Sequence, residues 1–110
     1  MDHAIVAFSG YPRQYLGWSQ YRSLGAAALD LCAVACGQLD AFIDCASRSL
    51  APWDYLGAVL VCREAGAHVA EAFDRQLLVL DPGARRTVVA AATAELMAEA
   101  VTGRRSLGNK

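Results

Sequence analysis

The sequence has little charge and no long uninterrupted apolar run. Charged residues make up 19% of the 110 residues, and the formal net charge is −1. With no basic patch or stripe, there is no reason to expect binding to nucleic acid or to an anionic membrane. The longest apolar stretch, Leu24–Cys36, contains Asp30 and is too short to span a bilayer. Met1-Asp2-His3 does not form the basic start of a signal peptide.

The four cysteines lack the spacing of a metal site. No C-x-x-C pair occurs, and the two histidines, His3 and His68, lie far from the cysteines in sequence. Cysteine in a reduced protein is most often a small buried apolar residue. We therefore expect reduced, buried thiols and a cytoplasmic location.

Apolar residues are abundant for so short a chain. Aliphatic, aromatic and cysteine residues account for 55% of the sequence, more than in a typical soluble domain. A free-standing domain of this size exposes much of its surface. The composition therefore predicts either a very compact core or a missing partner, and we favour the partner.

Hydrophobic periodicity and turn residues predict the order β-α-β-α-β-β-β-α, a layered α/β domain over residues 1–101. Gly37 and Gly66 are expected to end the first two helices. The predicted strands are Ile5–Phe8, Asp40–Asp44, Ala67–Ala72, Leu77–Leu80 and Thr87–Ala92. The predicted helices are Gly25–Cys36, Asp54–Ala65 and Thr93–Val101, with a connector at 13–23, a loop at 45–52 and a frayed polar tail at 102–110.

Asp54 is the most suggestive side chain when the residues are considered alone. It follows a rigid Pro-Trp pair at the start of a predicted helix, where backbone N–H groups favour a carboxylate. It is either a helix N-cap or a ligand for a hard cation such as Mg²⁺. Gly25-Ala26-Ala27, at the other helix start, is either a simple turn or a place where backbone amides approach a ligand closely.

Two motifs resemble those of the inositol monophosphatase family. The first spans Arg22–Cys32 and continues to Asp40, and it is similar to the family run R-x-x-G-S-A-A-L-D-L-C-x-V-A-x-G-x-x-D. The second spans Trp53–Ala67 and is similar to W-D-x-A-[GA]-x-x-L-[IV]-x-x-E-A-G-[GA]. The resemblance extends from about Ile5 to Val101. It implies the C-terminal part of a sugar-phosphatase (αβαβα) fold.

The resemblance also implies roles for individual residues. Asp54 falls where the family places a ligand of a catalytic Mg²⁺, and Asp44 where an acidic residue accepts hydrogen bonds from substrate hydroxyls. The alternative for Asp44 is a solvated aspartate at a strand end. The segment Gly25, Ala26 and Ala27 falls on the part that lines the substrate pocket, although Ala26 lacks the usual hydroxyl. Arg22 matches an arginine that supports the acids of the site; its alternative is a surface salt bridge.

Most of the family's metal ligands have no counterpart here. In relatives a glutamate pair and D-P-[IL]-D-G-T precede the matched region, whereas Asp81-Pro82-Gly83 is only a turn. Hydrolysis of a phosphomonoester with two or more Mg²⁺ ions needs more than one or two carboxylates. The sequence therefore predicts one metal ligand and part of the pocket of an inositol-phosphate phosphatase, inactive alone, with a missing N-terminal half or a homodimer partner.

Two other interpretations stay open. The chain is alternatively a non-enzymatic remnant of the same fold that binds a partner. A third interpretation, an unrelated small α/β binding domain, requires both motifs to have arisen by chance.

Overall fold

The computed structural model describes residues 1–10, 12–23, 26–45 and 50–108. Five strands and three helices occur in this part of the chain, in the order β-β-α-β-α-β-β-α. The strands are β1 Ile5–Ser9, β2 Gln20–Arg22, β3 Ala41–Asp44, β4 His68–Glu71 and β5 Val88–Ala91. The helices are α1 Ala27–Ala35, α2 Pro52–Glu64 and α3 Ala94–Ser106.

The strands form one mixed sheet in the order β2-β1-β3-β5-β4. Strand β1 pairs in parallel with both β2 and β3, while β5 is antiparallel to β3 and to β4. Ser9 and Asp44, the last residues of β1 and β3, are register partners. The carboxyl ends of these two strands therefore meet at the same edge of the sheet.

Helices cover both faces of the sheet, which explains why its central strands are apolar without alternation. Side chains of Ala7 and Phe42 join a core beneath α1 and α2. Their neighbours Val6 and Ile43 point to the opposite face and join a second core beneath α3. The predicted α/β class with helices packed on a sheet is confirmed.

The ends of the first two helices follow from local sequence. Gly37 and Gly66 have φ of +79° and +85°, a left-handed conformation that only glycine adopts without strain. Both predicted stops are confirmed. Helix α2 begins at Pro52 rather than Asp54. Proline suits the first helical position because its nitrogen has no hydrogen to leave unbonded.

Two predictions about strands were wrong. Residues 20–22, expected in a connector, form the edge strand β2 beside β1, although their polar sequence gives no strand signal. Residues 77–80, expected as a strand, are irregular. Leu77 is buried and its carbonyl accepts a hydrogen bond from the Tyr55 hydroxyl at 2.7 Å. Leu80, by contrast, is 91% exposed. The apolar run is thus a loop that places one side chain in the core.

The predicted frayed tail is also wrong over residues 102–106. Helix α3 continues to Ser106, and Arg104 is buried at 1% exposure. Its Nε donates to the Asp44 carbonyl oxygen, and its guanidinium lies 5.4 Å from the centre of the Phe73 ring. A buried arginine with these partners anchors the last turns of α3 to the sheet. The polarity of residues 102–106 alone indicates a solvated chain terminus, which is why the prediction failed.

All four cysteines are free thiols. The Sγ of Cys62 is buried and donates to the Leu31 carbonyl oxygen at 3.1 Å. Burial, followed by the neighbouring Cys32 thiol, raises the pKa of Cys62 to about 11. Cys36 is exposed, so the expectation of buried cysteines holds for Cys62 but not for Cys36. Within the described ranges, no helix combines the length and apolar character needed to cross a membrane.

Candidate functional site

A cleft lies at the sheet edge where β1 ends and where α1 and α2 begin. Its volume is about 400 Å³. The lining residues are Ser9, Ala26, Ala27, Ala28, Leu50, Trp53 and Asp54. A second cavity of about 170 Å³ shares Ser9, Ala26 and Ala27 with it and extends to Asp30. We call the first of these cavities the helix-start cleft. It brings the second motif, through Asp54, next to the first motif, through Ala26 and Ala27.

Asp54 is the third residue of α2 and is only partly exposed. Its Oδ2 accepts a hydrogen bond from the Ala51 N–H at 2.9 Å. The N-cap position belongs to Ala51, so the N-cap interpretation of Asp54 needs correction. From the third position the carboxylate still satisfies a backbone donor at the helix start. It also lies at the positive end of the helix dipole.

Helix α1 presents an uncapped start to the same cleft. Its N-cap residue is Ala26, which has no side chain able to accept a hydrogen bond. The first backbone N–H groups of a helix have no partner within the helix and point toward its N-terminus. Two helix starts, α1 and α2, therefore meet at one cleft. Such an arrangement favours a bound anion.

Asp44 is completely buried at the end of β3. It belongs to the lining of neither cavity described above. The alternative of a solvated aspartate is therefore wrong. Burial raises the pKa of the adjacent Cys45 thiol to about 12; the charge of Arg104 opposes this rise and that of Asp44 adds to it. Asp44 thus lies with Cys45 and Arg104 in a buried polar cluster at the end of β3.

Arg22 ends the edge strand β2 and is exposed. Its guanidinium donates to the Gln20 side-chain oxygen at 2.8 Å and to the Tyr21 carbonyl at 2.9 Å. These bonds are local to the strand. Gly25, the remaining predicted pocket residue, lies outside the described residues, as do residues 46–49 of the predicted loop.

Asp30 and Asp40 both belong to the first motif. Asp40 has a structural contact: its Oδ2 accepts a hydrogen bond from the Ile5 N–H at 2.8 Å and ties the start of β3 to β1. Asp30 is buried at 1% exposure in the first turn of α1, where it lines the smaller cavity. It is therefore closer to the site than the sequence suggested.

Sequence reasoning missed four cleft residues: Ser9, Ala28, Leu50 and Trp53. Ser9 had a usable signal, since residues that directly follow a buried strand gather at the edge where ligands bind in α/β sheets. Trp53 is next to Asp54 and 68% exposed, unusual for so large an apolar side chain. Leu50 lies four residues before Asp54, but nothing in its residue type marks it as a cleft residue.

One carboxylate, that of Asp54, lines the helix-start cleft. In residues 1–10, 12–23, 26–45 and 50–108 there is no group of three His, Cys, Asp or Glu side chains placed to hold a metal ion. Asp54 supplies a hard oxygen donor at the cleft, which suits Mg²⁺ as one member of a larger set.

The structure is that of an α/β protein in which the starts of two helices line one cleft. Comparison with known proteins identifies the family: the model of the inositol monophosphatase family matches residues 3–106, and the chain belongs to this family. The family is generally metal-dependent and acts on small phosphomonoesters.

Individual relatives agree with this assignment. The chain is 43% identical over 75 residues to inositol monophosphatase 3 of Solanum lycopersicum, covering 68% of this chain and 25% of that protein. It is 40% identical over 62 residues to inositol-1-monophosphatase of Synechocystis, covering 56% of this chain and 20% of that protein. The chain thus spans about a quarter or less of the curated relatives it matches.

Solved structures show the same fold. A Pyrococcus horikoshii protein described as similar to inositol-1 monophosphatase superposes with a TM-score of 0.76 at 26% identity, covering 91% of this chain and 42% of that one. An IMPase from Thermotoga maritima superposes with a TM-score of 0.76 at 19% identity, covering 97% of this chain and 42% of that one. The chain corresponds to less than half of each.

Proposed function

We propose that this chain is the C-terminal portion of a Mg²⁺-dependent phosphatase for inositol phosphate or a related small phosphomonoester, and that it is inactive alone. One observation carries the proposal: Asp54 shares a cleft with Ala26 and Ala27, at the start of two helices. A carboxylate beside two helix starts is suited to a cation and a phosphate bound together.

Asp54 is the proposed metal ligand. Its Oδ2 is engaged by the Ala51 N–H, which fixes the carboxylate in place. A bound Mg²⁺ would neutralise phosphate charge and make a water molecule more acidic. The chain's own part is to orient this one ligand. The other ligands must come from elsewhere, since no group of three metal-binding side chains occurs in the described ranges.

The proposed substrate pocket uses backbone groups of α1. Ala26 and Ala27 line the helix-start cleft, and Gly25 is assigned to the same pocket by the family resemblance. Asp44 as an acceptor for substrate hydroxyls remains a prediction. Asp44 is completely buried and lines neither of the two cavities. Arg22 as a support for the acids also remains a prediction.

A missing partner is supported by the outer surface of α1 and α2. Four large apolar side chains there are 44–68% exposed: Leu29, Trp53, Leu60 and Val61. We call this surface the outer apolar face. Trp53 belongs both to it and to the helix-start cleft. A partner seated on this face, either the N-terminal half of the fold or a second copy, would also lie beside the cleft. The expected location is the cytoplasm, where the four thiols stay reduced.

Complementation tests the proposal. The chain is expressed with the part of the Synechocystis relative that precedes the matched region, and Mg²⁺-dependent phosphate release from inositol 1-phosphate is measured. We expect no release by either part alone, and release by the pair. Asp54→Asn in this chain should abolish the activity, whereas Glu64→Gln, at the far end of α2, should not. Activity that survives Asp54→Asn would refute the metal-ligand role.

The alternative is a non-enzymatic remnant that binds a partner through the outer apolar face. The exposed apolar side chains favour it as much as they favour a half-enzyme. It predicts a stable complex without phosphate release, with no dependence on Mg²⁺ or on Asp54. An in-frame E-E … D-P-[IL]-D-G-T encoded upstream of Met1 would count against it.

A further inference from the structure

Two arginines are fixed next to the helix-start cleft by contacts with its lining. The Arg86 N–H donates to the Leu50 carbonyl oxygen at 2.9 Å, in an isolated antiparallel bridge. The Arg85 guanidinium lies 5.5 Å from the centre of the Trp53 ring. Leu50 and Trp53 both line the cleft. The segment before β5 is thus held against the cleft at two independent points.

Arg85 is preorganised as a cation. Its Nη1 donates to the Pro82 carbonyl at 3.0 Å and to the Ala84 carbonyl at 2.7 Å. Both bonds use the same nitrogen, so the donors on Nε and Nη2 are not used by them. Within the described ranges, none of the salt bridges involves Arg85. Its charge is therefore available to an anion, and little side-chain entropy remains to be lost on binding.

Trp53 connects Arg85 to the cleft, because its ring contacts the Arg85 guanidinium and also lines the cleft. Its side chain is 68% exposed, and a guanidinium on the face of an indole is attracted by the ring quadrupole. Arg86 adds a second positive charge, held by the Gln76 carbonyl at 2.6 Å and the Arg85 carbonyl at 2.9 Å. Neither arginine lines the cleft itself, and Arg85 is the one whose guanidinium contacts a lining side chain, that of Trp53. Arg85 therefore supplies the positive charge at the rim of the cleft, while Asp54 occupies the start of α2.

We propose that Arg85 binds a second anionic group of the ligand, so that the site prefers a small polyol phosphate carrying an additional phosphate or carboxylate. The proposal rests on the proposed function, in which the reacting phosphate occupies the helix starts beside Asp54. That position leaves Arg85 at the rim for a different group. Arg85 is then a specificity-determining residue, because it acts on which phosphomonoester binds and not on the reacting atoms.

Trp53 provides the readout, since the chain has two tryptophans and Trp18 is buried at 9% exposure. The complete chain is titrated at saturating Mg²⁺ with inositol 1-phosphate and with inositol 1,4-bisphosphate while indole emission is recorded. We expect about tenfold tighter binding of the bisphosphate, the size of one charge-assisted hydrogen-bonded contact. Trp53→Phe should remove the signal and so assign it.

Variants separate charge from structure. Arg85→Gln should abolish the preference and leave affinity for inositol 1-phosphate unchanged, and Arg85→Lys should restore part of it. Arg63→Gln, an exposed arginine in the last turn of α2, is the matched control and should change neither affinity. Circular dichroism and thermal melting check that each variant folds.

Several outcomes would overturn the assignment. Equal affinity for the two ligands in the unmodified chain, no binding of either, or an equal loss for both in Arg85→Gln would each do so. Tighter binding of a nucleoside monophosphate than of the bisphosphate would assign Trp53 to base stacking instead. Failure of the proposed function looks different: inositol 1-phosphate would bind equally well to Asp54→Asn, whatever Arg85→Gln does.

Discussion

Helix α3 covers one face of the sheet and directs charged side chains to solvent, whereas α1 and α2 cover the other face and expose Leu29, Leu60 and Val61. Glu95, Glu99 and Arg105 are the exposed charged residues of α3. A surface helix normally places polar residues on its outer side. The exposed side of α3 therefore has the polar composition of an ordinary protein surface. The outer apolar face exposes large apolar side chains, as surfaces that bind other proteins often do.

The helix starts differ in the same way. Thr93 caps α3, its side-chain oxygen accepting a hydrogen bond from the Leu96 N–H at 3.2 Å. Helices α1 and α2 begin after Ala26 and Ala51, which offer no such oxygen. At the start of α2 the Asp54 carboxylate instead accepts a hydrogen bond from the Ala51 N–H, whereas the start of α1 has no side-chain cap. The N-cap residues at the cleft are therefore both alanines, whereas the N-cap of α3 bonds a backbone N–H with its own side chain.

The largest expected effect lies under α3. Arg104→Leu removes the buried donor to the Asp44 carbonyl and the contact with the Phe73 ring. The free energy of unfolding should fall by about 3 kcal/mol, because a buried acceptor loses its charged partner. Urea denaturation measures the change, with Arg63→Gln as an exposed control. A loss no larger than that of the control would show that α3 is not anchored by Arg104.

Glu71 should give the next largest effect. Burial would raise the pKa of this carboxyl, but hydrogen bonds from Arg75, Thr87 and Phe73 outweigh burial and lower it. At pH 7, Glu71→Gln should reduce the free energy of unfolding by about 2 kcal/mol. Urea denaturation of Glu71→Gln and of the exposed control Glu64→Gln measures this loss.

The sign of the pH dependence follows from the lowered pKa. The carboxylate of Glu71 stabilises the fold above the pKa of about 4.5 that it has when unfolded, and this contribution is lost as pH falls through the lower folded value. The difference between Glu71→Gln and the unmodified chain should therefore shrink toward low pH. A difference that grows on acidification would contradict the assignment.

Capping should produce smaller changes of opposite sign on the two faces. Thr93→Ala should lower the free energy of unfolding by about 1 kcal/mol, whereas Ala26→Ser should raise it by roughly 0.5 kcal/mol. The backbone of Ala26 is already extended, with φ −142° and ψ 119°, as an N-cap requires. Thermal melting compares the two variants. Destabilisation by Ala26→Ser would show that the start of α1 does not accept a side-chain cap.

The smallest effect on stability is expected at the outer apolar face. Leu60 is 63% exposed, so Leu60→Lys should change the free energy of unfolding by no more than about 0.5 kcal/mol. The same change should clearly reduce self-association or capture of the complementing half, measured by sedimentation velocity. Ala98→Lys, on the exposed side of α3, should alter neither. Equal effects of the two substitutions would remove the distinction between the faces.

Sequence reasoning located the regular elements that have strong local signals. The apolar run at Ile5–Phe8 and the glycines Gly37 and Gly66 led to the correct elements and helix ends. It failed where a long-range contact outweighs local character. Strand β2 is polar and exists because β1 offers an edge to pair with. The last turns of α3 are polar and helical because Arg104 is buried against the sheet and Phe73.

The sequence by itself determined the family and the α/β class, and it predicted a role for Asp54, because each inference depends on residue types at fixed spacing along the chain. Only the tertiary structure decided what surrounds Asp54. Ser9, the segment Leu50–Asp54 and Arg85 lie far apart in the chain, and their meeting depends on strand order and on one backbone bridge. The difference in exposed apolar side chains between the two faces is likewise a result of packing. Apolar residues occur on all three helices, and only the fold determines which of them are exposed to solvent.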